Sequence, residues 1–355
     1  MATFERADRL RTIEPYEAGT SIDFSNNDYL ALAADPRVVA AMRRCERVGS
    51  GGARLLGGRR REHAQLEDAL APFLGRERVL LFSSGYLAAA GAIGVLAQCA
   101  SSIYSDEFNH ASIIDAARAS RLERTVYPHR MLPPGTQRRS GALIVTESIF
   151  SMEGDAADLA GMVGDLGDDD MLLVDEAHAI GVAGTCGGGM AAAFSDPRVI
   201  VMGTLSKALG SQGGFVAGPA RLIDLLVTSA RPFIFDTALA PPLAAAAHRA
   251  LDIVIQDEVR RAQLHTNVQR MRAGLRTDDV AAHTHQSPIV PVLLGEERRA
   301  LNVARALRAG GIIAPAIRPP TVPIGTSRLR VSIRSDHTPE EIDALLEGLR
   351  CTVTL

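Results

Sequence analysis

The feature that most constrains this chain is an alternation running through its first two-thirds. Short apolar runs are each followed by a turn bearing Gly, Ser, Asp or His, and then by a helical pattern. Strands are expected at residues 78–82, 142–147, 171–174 and 199–203, with a further one at 213–217. That alternation belongs to a mostly parallel sheet covered by helices on both faces, a large α/β domain. The acidic connection 165–170 reads as a solvated turn. After Pro241-Pro242 the pattern changes to a long helical stretch from Leu243 to about Arg276. A strand at 289–294 and a helix at 296–309 follow, the helix stopped by Gly310-Gly311. Residues 327–333 alternate like a half-exposed strand. Thr338-Pro339-Glu340-Glu341 then offers an N-cap, a Pro at the first helical position and a capping-box Glu. The expected division is an N-terminal segment 1–35, a large α/β domain 36–242 and a small C-terminal α+β domain 243–355.

Composition narrows the function classes. The formal net charge of −3 points to no nucleic-acid partner. The charged opening MATFERADRLR lacks the apolar core of a signal peptide, and the most apolar window, 87–96, is too short to span a bilayer. Cys45, Cys99, Cys186 and Cys351 show no ligand spacing and read as reduced, mostly buried cysteines of a cytosolic protein. Among 38 basic residues Lys207 is the single lysine; the rest are arginines. Surface charge tolerates either residue, but a guanidinium neither deprotonates readily nor condenses with an aldehyde. A lysine kept in an arginine-rich chain is therefore a candidate for imine chemistry, against the plain alternative of a biased composition with one survivor.

Ligands of such sheets sit at the C-terminal ends of parallel strands, and four segments fall there. Ser83-Ser84-Gly85-Tyr86 opens a helix whose free N–H groups favour an anion such as phosphate, or forms an ordinary turn. Asp175-Glu176-Ala177-His178 places an aspartate where it could pair with a pyridinium N–H and a histidine where it could reach a phenolic oxygen. The competing DEAH-helicase reading needs a GxxxxGK[ST] loop, and the sole lysine lies in TLSKALG instead. In that third segment Thr204 suits a phosphate while Lys207 suits an aldehyde carbon. In the fourth, Phe108-Asn109-His110-Ala111-Ser112, the histidine could stack on a ring or be structural. The ligand these needs describe is pyridoxal 5′-phosphate (PLP), held by Lys207 as a Schiff base.

Together FSNNDYLAL, GSGGARLLGG, HAQLEDALAPFLG, FSSGY, FNHAS, ESIFSMEGD, VDEAHAIG, GTLSKALGSQGG and RPFIFDTALAPP resemble the α-oxoamine synthases over essentially the whole chain. These are PLP enzymes of fold type I, the aspartate aminotransferase-like fold. TLSKALGSQGG and RPPTVPIGTSRLRVSIRSDHT are most similar to the biotin-pathway branch. The resemblance implies a decarboxylative condensation of an amino acid with an acyl thioester. In that branch the substrates are L-alanine and a pimeloyl group carried on CoA or on a carrier protein. It implies further that Lys207, His110, Asp175 and His178 are catalytic. Gly85, Tyr86, Ser151 and Thr204 join them as cofactor contacts, and Thr237 reaches the phosphate of a neighbouring subunit in a homodimer with shared sites. Arg11, Asn27, His110, Arg318 and Thr321 fall at substrate positions, Arg318 as the partner of the amino-acid carboxylate.

The chain departs from the family in a short segment before Asn27, in GTCGGG where a basic residue is common, and in the basic run Arg59-Arg60-Arg61. The GTCGGG change is expected to loosen its loop. The basic run reads as a solvated turn or as a loop binding a thioester or carboxylate. The pair His283 and His285 has no companion ligands, so no metal is expected. Sibling synthases (glycine C-acetyltransferase, 5-aminolevulinate synthase, longer-chain enzymes) and a non-catalytic PLP-binding regulatory module are the alternatives.

Overall fold

The computed structural model describes residue 10 and residues 21–275 and 287–353. Arg11, His283 and His285 lie outside the described residues. The chain divides into two compact units: one of residues 30–151 and 156–258, the other of residues 1–29, 152–155 and 259–355.

The larger unit is built on a seven-stranded sheet. In chain order its strands are β1 (Arg78–Phe82), β2 (Ser102–Asp106), β3 (Arg124–Tyr127), β4 (Ala142–Glu147), β5 (Met171–Asp175), β6 (Val199–Thr204) and β7 (Gly214–Gly218). Their order across the sheet is β1-β7-β6-β5-β4-β2-β3, and only β7 runs against its neighbours. All six other strands thus end on the same edge. β2 and β3 were not expected from the sequence. β2 is the polar run Ser-Ile-Tyr-Ser-Asp, buried throughout, and β3 is a short edge strand with its first three residues exposed. From Ala88 to Leu96 the helix Gly85–Leu96 is mostly buried, so its pattern is apolar all round and not striped. Ile93, Val95 and Leu96, each at most 2% exposed, contribute about 2 kcal/mol apiece by leaving water.

The anticipated single long helix is two, Pro241–Gln256 and Glu258–Gly274, broken where Asp257 leaves helical geometry (φ −106°, ψ 79°). The break also moves the expected boundary at residue 242. Ala244, Ala247, Ala250 and Leu251 are buried, and their helix packs on Pro36–Arg43 and Arg61–Phe73, so it belongs to the larger unit. The supposedly solvated acidic turn is anchored as well. Asp170 is buried, accepts from Ala142 N–H at 2.9 Å and faces Arg138 at 3.3 Å. The cysteines correct another expectation: Cys99, Cys186 and Cys351 are exposed and Cys45 is half-buried.

The smaller unit holds a three-stranded antiparallel sheet with β8 (Ile289–Gly295), β9 (Ala316–Ile317) and β10 (Ser327–Ser332), β10 in the middle. Every residue of β10 is buried, not alternately exposed as the pattern suggested. Its two arginines are covered by partners. Arg328 pairs with Glu153 at 3.0 Å, and Arg330 donates to Asn27 Oδ1 at 2.9 Å. The last helix, Pro339–Val353, starts with the expected reciprocal cap: Glu341 N–H to Thr338 Oγ1 at 3.2 Å, and Thr338 N–H to Glu341 Oε2 at 2.9 Å.

Candidate active site

Sheet register assembles the site. Phe82 of β1 lies opposite Gly214 of β7, which lies opposite Thr204 of β6. The loop after β1 is thereby laid beside the loop after β6. The approach is close. A Cβ on Gly214 would come 2.4 Å from Ser84 O and 2.6 Å from Gly85 Cα, and one on Gly85 would meet Thr204 Cβ at 3.1 Å. Only hydrogen at these positions lets the two backbones share one cradle. Thr204 Oγ1 donates to Gly213 O at 2.8 Å and lies 2.7 Å from Ser206 Oγ. Gly214→Ala is accordingly expected to cost about 1–3 kcal/mol by overpacking, and to lower both the melting temperature and cofactor retention. An unchanged melting temperature and retention would show that the approach has slack.

On the neighbouring strand, β5 ends in Asp175 and runs on to His178. Lys207 Nζ lies 2.8 Å from His178 Nε2. With the ammonium donating, the imidazole is neutral and carries its proton on Nδ1. Burial pushes the Asp175 carboxyl up, opposed by the charge of Lys207, the Ala177 N–H at 2.9 Å and His110. His110 ends the loop after β2 and caps the helix Ala111–Ala119, its Nδ1 accepting from Ser112 N–H at 3.2 Å. The residue as a whole is exposed, yet protein groups crowd its imidazole. That burial is the first cause of its lowered imidazole pKa, with Asp175 pulling upward and Lys207 downward. Asp175 and Lys207 are thus among the charges nearest His110.

Of the other candidates in this unit, Ser151 is buried just after β4. Tyr86 is exposed, with its hydroxyl on Asp115. Thr237 is exposed, two residues beyond the exposed Phe235. The run Arg59-Arg60-Arg61 does not act as one patch. Arg60 turns inward to Ser50 O at 3.2 Å, and Arg59 sits 3.8 Å from Glu67. Arg61 lines a 260 Å³ cavity with Arg44, His248 and Arg249. In the smaller unit Arg318 is buried, Thr321 is exposed and donates its N–H to Arg318 O at 3.1 Å, and Asn27 is held by Arg330.

Glu176, inside the same motif, has a structural task. It is fully buried, accepting from Ser148 Oγ at 2.6 Å and from Ala191 N–H at 2.5 Å. It thereby anchors the Gly-rich loop 184–189, which is also closed by Gly181 N–H to Gly187 O at 2.7 Å. The expected loosening of that loop is not seen. Burial pushes the Glu176 carboxyl up despite these donors. A carboxyl raised in the fold stabilises it fully below the ordinary glutamate range, and that stability is lost as pH rises through the raised value. The stability of wild type relative to Glu176→Gln should therefore fall as pH rises across that window. Melting temperatures of both proteins from pH 4 to pH 8 check this, and a constant difference would refute it.

Residues 20–349 match the model of the aminotransferase class I and II family. The chain belongs to that family. It is 48% identical over 342 residues to an 8-amino-7-oxononanoate synthase of Anaeromyxobacter dehalogenans, an alignment covering 92% of this chain and 85% of the relative. Among solved structures it is similar to a serine palmitoyltransferase from S. paucimobilis with bound PLP–myriocin (TM-score 0.87, 30% identity, 94% of this chain and 89% of that one). It is also similar to the 8-amino-7-oxononanoate synthase of Francisella tularensis (TM-score 0.79, 28% identity, 94% and 98%). PLP is the cofactor of this fold family, and the residues present suit it. The glycine cradle beside Thr204 and the start of the helix Gly85–Leu96 suit a phosphate. The carboxyl of Asp175 suits a ring N–H, and Lys207 suits an aldehyde.

Proposed function

We propose that the chain condenses L-alanine with a pimeloyl thioester, releasing CO2 and the thiol carrier and forming 8-amino-7-oxononanoate. The observation that carries this is the Lys207–His178–Asp175–His110 cluster at the sheet edge, in a chain 48% identical to a synthase of that name. Bound PLP supplies an electron sink for negative charge at the amino-acid Cα. Asp175 holds the pyridine N–H and keeps it positive. Thr204 and the Gly85 helix start bind the phosphate, while Ser151 and His178 orient the phenolic oxygen. His110, whose imidazole is held toward its neutral form, would stack on the ring without adding a full positive charge. Lys207 holds the cofactor at its aldehyde carbon. The Lys207 amine would serve as the base for the Cα proton, with His178 Nε2 at 2.8 Å as its hydrogen-bond partner. Arg318, a buried guanidinium, suits the amino-acid carboxylate as a two-pronged donor; Arg11, Asn27 and Thr321 are proposed as further substrate contacts.

A homodimer is part of the same proposal. Val48 (92% exposed), Leu56 (82%), Leu55 and Phe235 (69%) present bare apolar surface on the larger unit. Ala238 N–H reaches Gly52 O at 3.0 Å, tying the segment that holds Leu55 to the one that holds Phe235 and Thr237. Such surface is expected to be covered by a second copy, bringing Thr237 to the partner's phosphate.

The test is thiol release from a panel of acyl-CoA and acyl-carrier thioesters with L-alanine or glycine, using PLP-loaded protein. Turnover with the pimeloyl thioester and alanine supports the proposal. Turnover confined to glycine or to another chain length assigns a sibling reaction instead.

A further inference from the structure

His129 follows β3 in the sequence YPHRM, where no motif marks it, yet it joins two loops of the site. Its Nδ1 lies 3.0 Å from Oδ1 of Asp106, the last residue of β2. The Asp106 carboxylate, 1% exposed, also accepts the backbone N–H of Phe108 at 2.9 Å and of Arg130 at 2.8 Å. Three donors thus lock one buried carboxylate, and with it the imidazole. The locked ring meets two phenyl rings. The centroid of Phe108 is 4.6 Å away, tilted by 30°, and that of Phe150 is 4.4 Å away, edge-on at 85°. The first falls within the range of favourable aromatic contact and the second lies at its lower edge. Phe108 stands two residues before His110, and Phe150 immediately before Ser151.

We infer that His129 is a positioning residue: a wedge, tethered by Asp106, that sets the distance between the loop carrying His110 and the loop carrying Ser151. It does not itself touch the cofactor. The inference rests on the reading of His110 as the ring-stacking group and Ser151 as a phenolic-oxygen contact. Displacing either loop by about 1 Å is enough to cost on the order of 100-fold in rate, and the wedge is what resists such a displacement. Asn109 stiffens the first loop independently, donating to Ser105 Oγ at 2.9 Å and to Val145 O at 2.8 Å. Loss of His129 should therefore shift the loops without unravelling them.

The experiment uses PLP-loaded wild type, His129→Phe, which keeps a ring but loses the donor, and His129→Asn, which keeps a donor but loses the ring. PLP retained after dialysis, the position of the visible absorbance band, kcat and KM for the amino acid, and melting temperature are read for each. Both variants are expected to retain PLP about 10-fold less well or worse, to move the band, and to lose kcat more than they raise KM. A lower melting temperature with retention, band and kcat unchanged would overturn the inference and leave His129 a fold brace only. Phe108→Leu and Phe150→Leu separate the two sides if the His129 variants fail to fold. Phe150→Leu should move the band, through Ser151, and Phe108→Leu should weaken retention, through His110. Identical effects from both, or none, would overturn it. His110→Ala and Ser151→Ala serve as references. If neither alters retention or the band, the cofactor-contact reading is what fails, and the wedge falls with it.

Discussion

Lys207→Arg keeps a positive charge in the loop after β6, and is nevertheless expected to abolish covalent cofactor binding and turnover. Charge is not what this position supplies. Arginine retains a cation able to face His178, but it has no amine that can lose its proton and condense with an aldehyde. Turnover should fall by roughly 10⁴-fold or more, which is ~5 kcal/mol on the barrier. Borohydride treatment of PLP-loaded wild type should add a pyridoxyl group to the peptide containing Lys207, and the variant should show none. A variant that still releases thiol from the thioester, or still forms a reducible adduct, would remove Lys207 from its assigned role. The composition sharpens the experiment: no other lysine exists in the chain to take over the linkage.

Asp175→Asn carries the second largest expected effect. The carboxyl sits half-buried at the end of β5, where desolvation disfavours its charge and Lys207, Ala177 N–H and His110 restore it in part. A ring N–H with positive charge would supply a further counter-ion there, and the partial desolvation would strengthen the pairing. An amide there can still meet the ring nitrogen, but it cannot hold the positive charge on it. We expect kcat to fall about 10³-fold, ~4 kcal/mol, with weaker PLP retention and little change in KM for the thioester. The sign of the pH response follows from the raised carboxyl. In the PLP-free protein a raised Asp175 carboxyl contributes stability below the ordinary aspartate range, lost as pH rises through the raised value. Asp175→Asn should remove that loss, so the PLP-free variant should gain on PLP-free wild type as pH rises. Melting curves of the two across pH, with steady-state kinetics of the loaded forms, check both parts. A drop of less than about 10-fold in kcat would mean that the ring charge is held by another group.

How much of this was legible in the sequence differs by element, for physical reasons. The buried parallel strands β4, β5 and β6 announced themselves as short apolar runs, because strands covered on both faces have no reason to alternate. β2 did not: its serines, tyrosine and aspartate are polar, and partners inside the fold accommodate Ser105 and Asp106, through Asn109 and His129. β10 misled in the opposite direction. Arg328 and Arg330 looked solvent-facing until Glu153 and Asn27, 175 and 303 residues away, were seen to cover them. The helix break at Asp257 and the membership of Pro241–Gln256 in the larger unit were likewise decided by packing, since local propensity runs on through both.

The site shows the same division. A lone lysine three residues after Thr204, an aspartate ending one strand and histidines in two strand-end loops are facts of residue type, and residue type alone limits what chemistry they can do. Spacing along the chain, with the strand–turn–helix rhythm, was enough to place them on one edge of a parallel sheet. The 2.8 Å contact of Lys207 with His178 and the Gly214–Gly85 approach required the lateral order of the sheet. So did the Asp106–His129 tether between two loops. That order joins β1 to β6 through a strand running the opposite way, and periodicity carries no record of which strand lies beside which. Sequence by itself determined the fold class and which residue types are available for the proposed chemistry. Tertiary structure decided their neighbours, because contacts between strand ends depend on sheet order and backbone approach, which no single segment encodes.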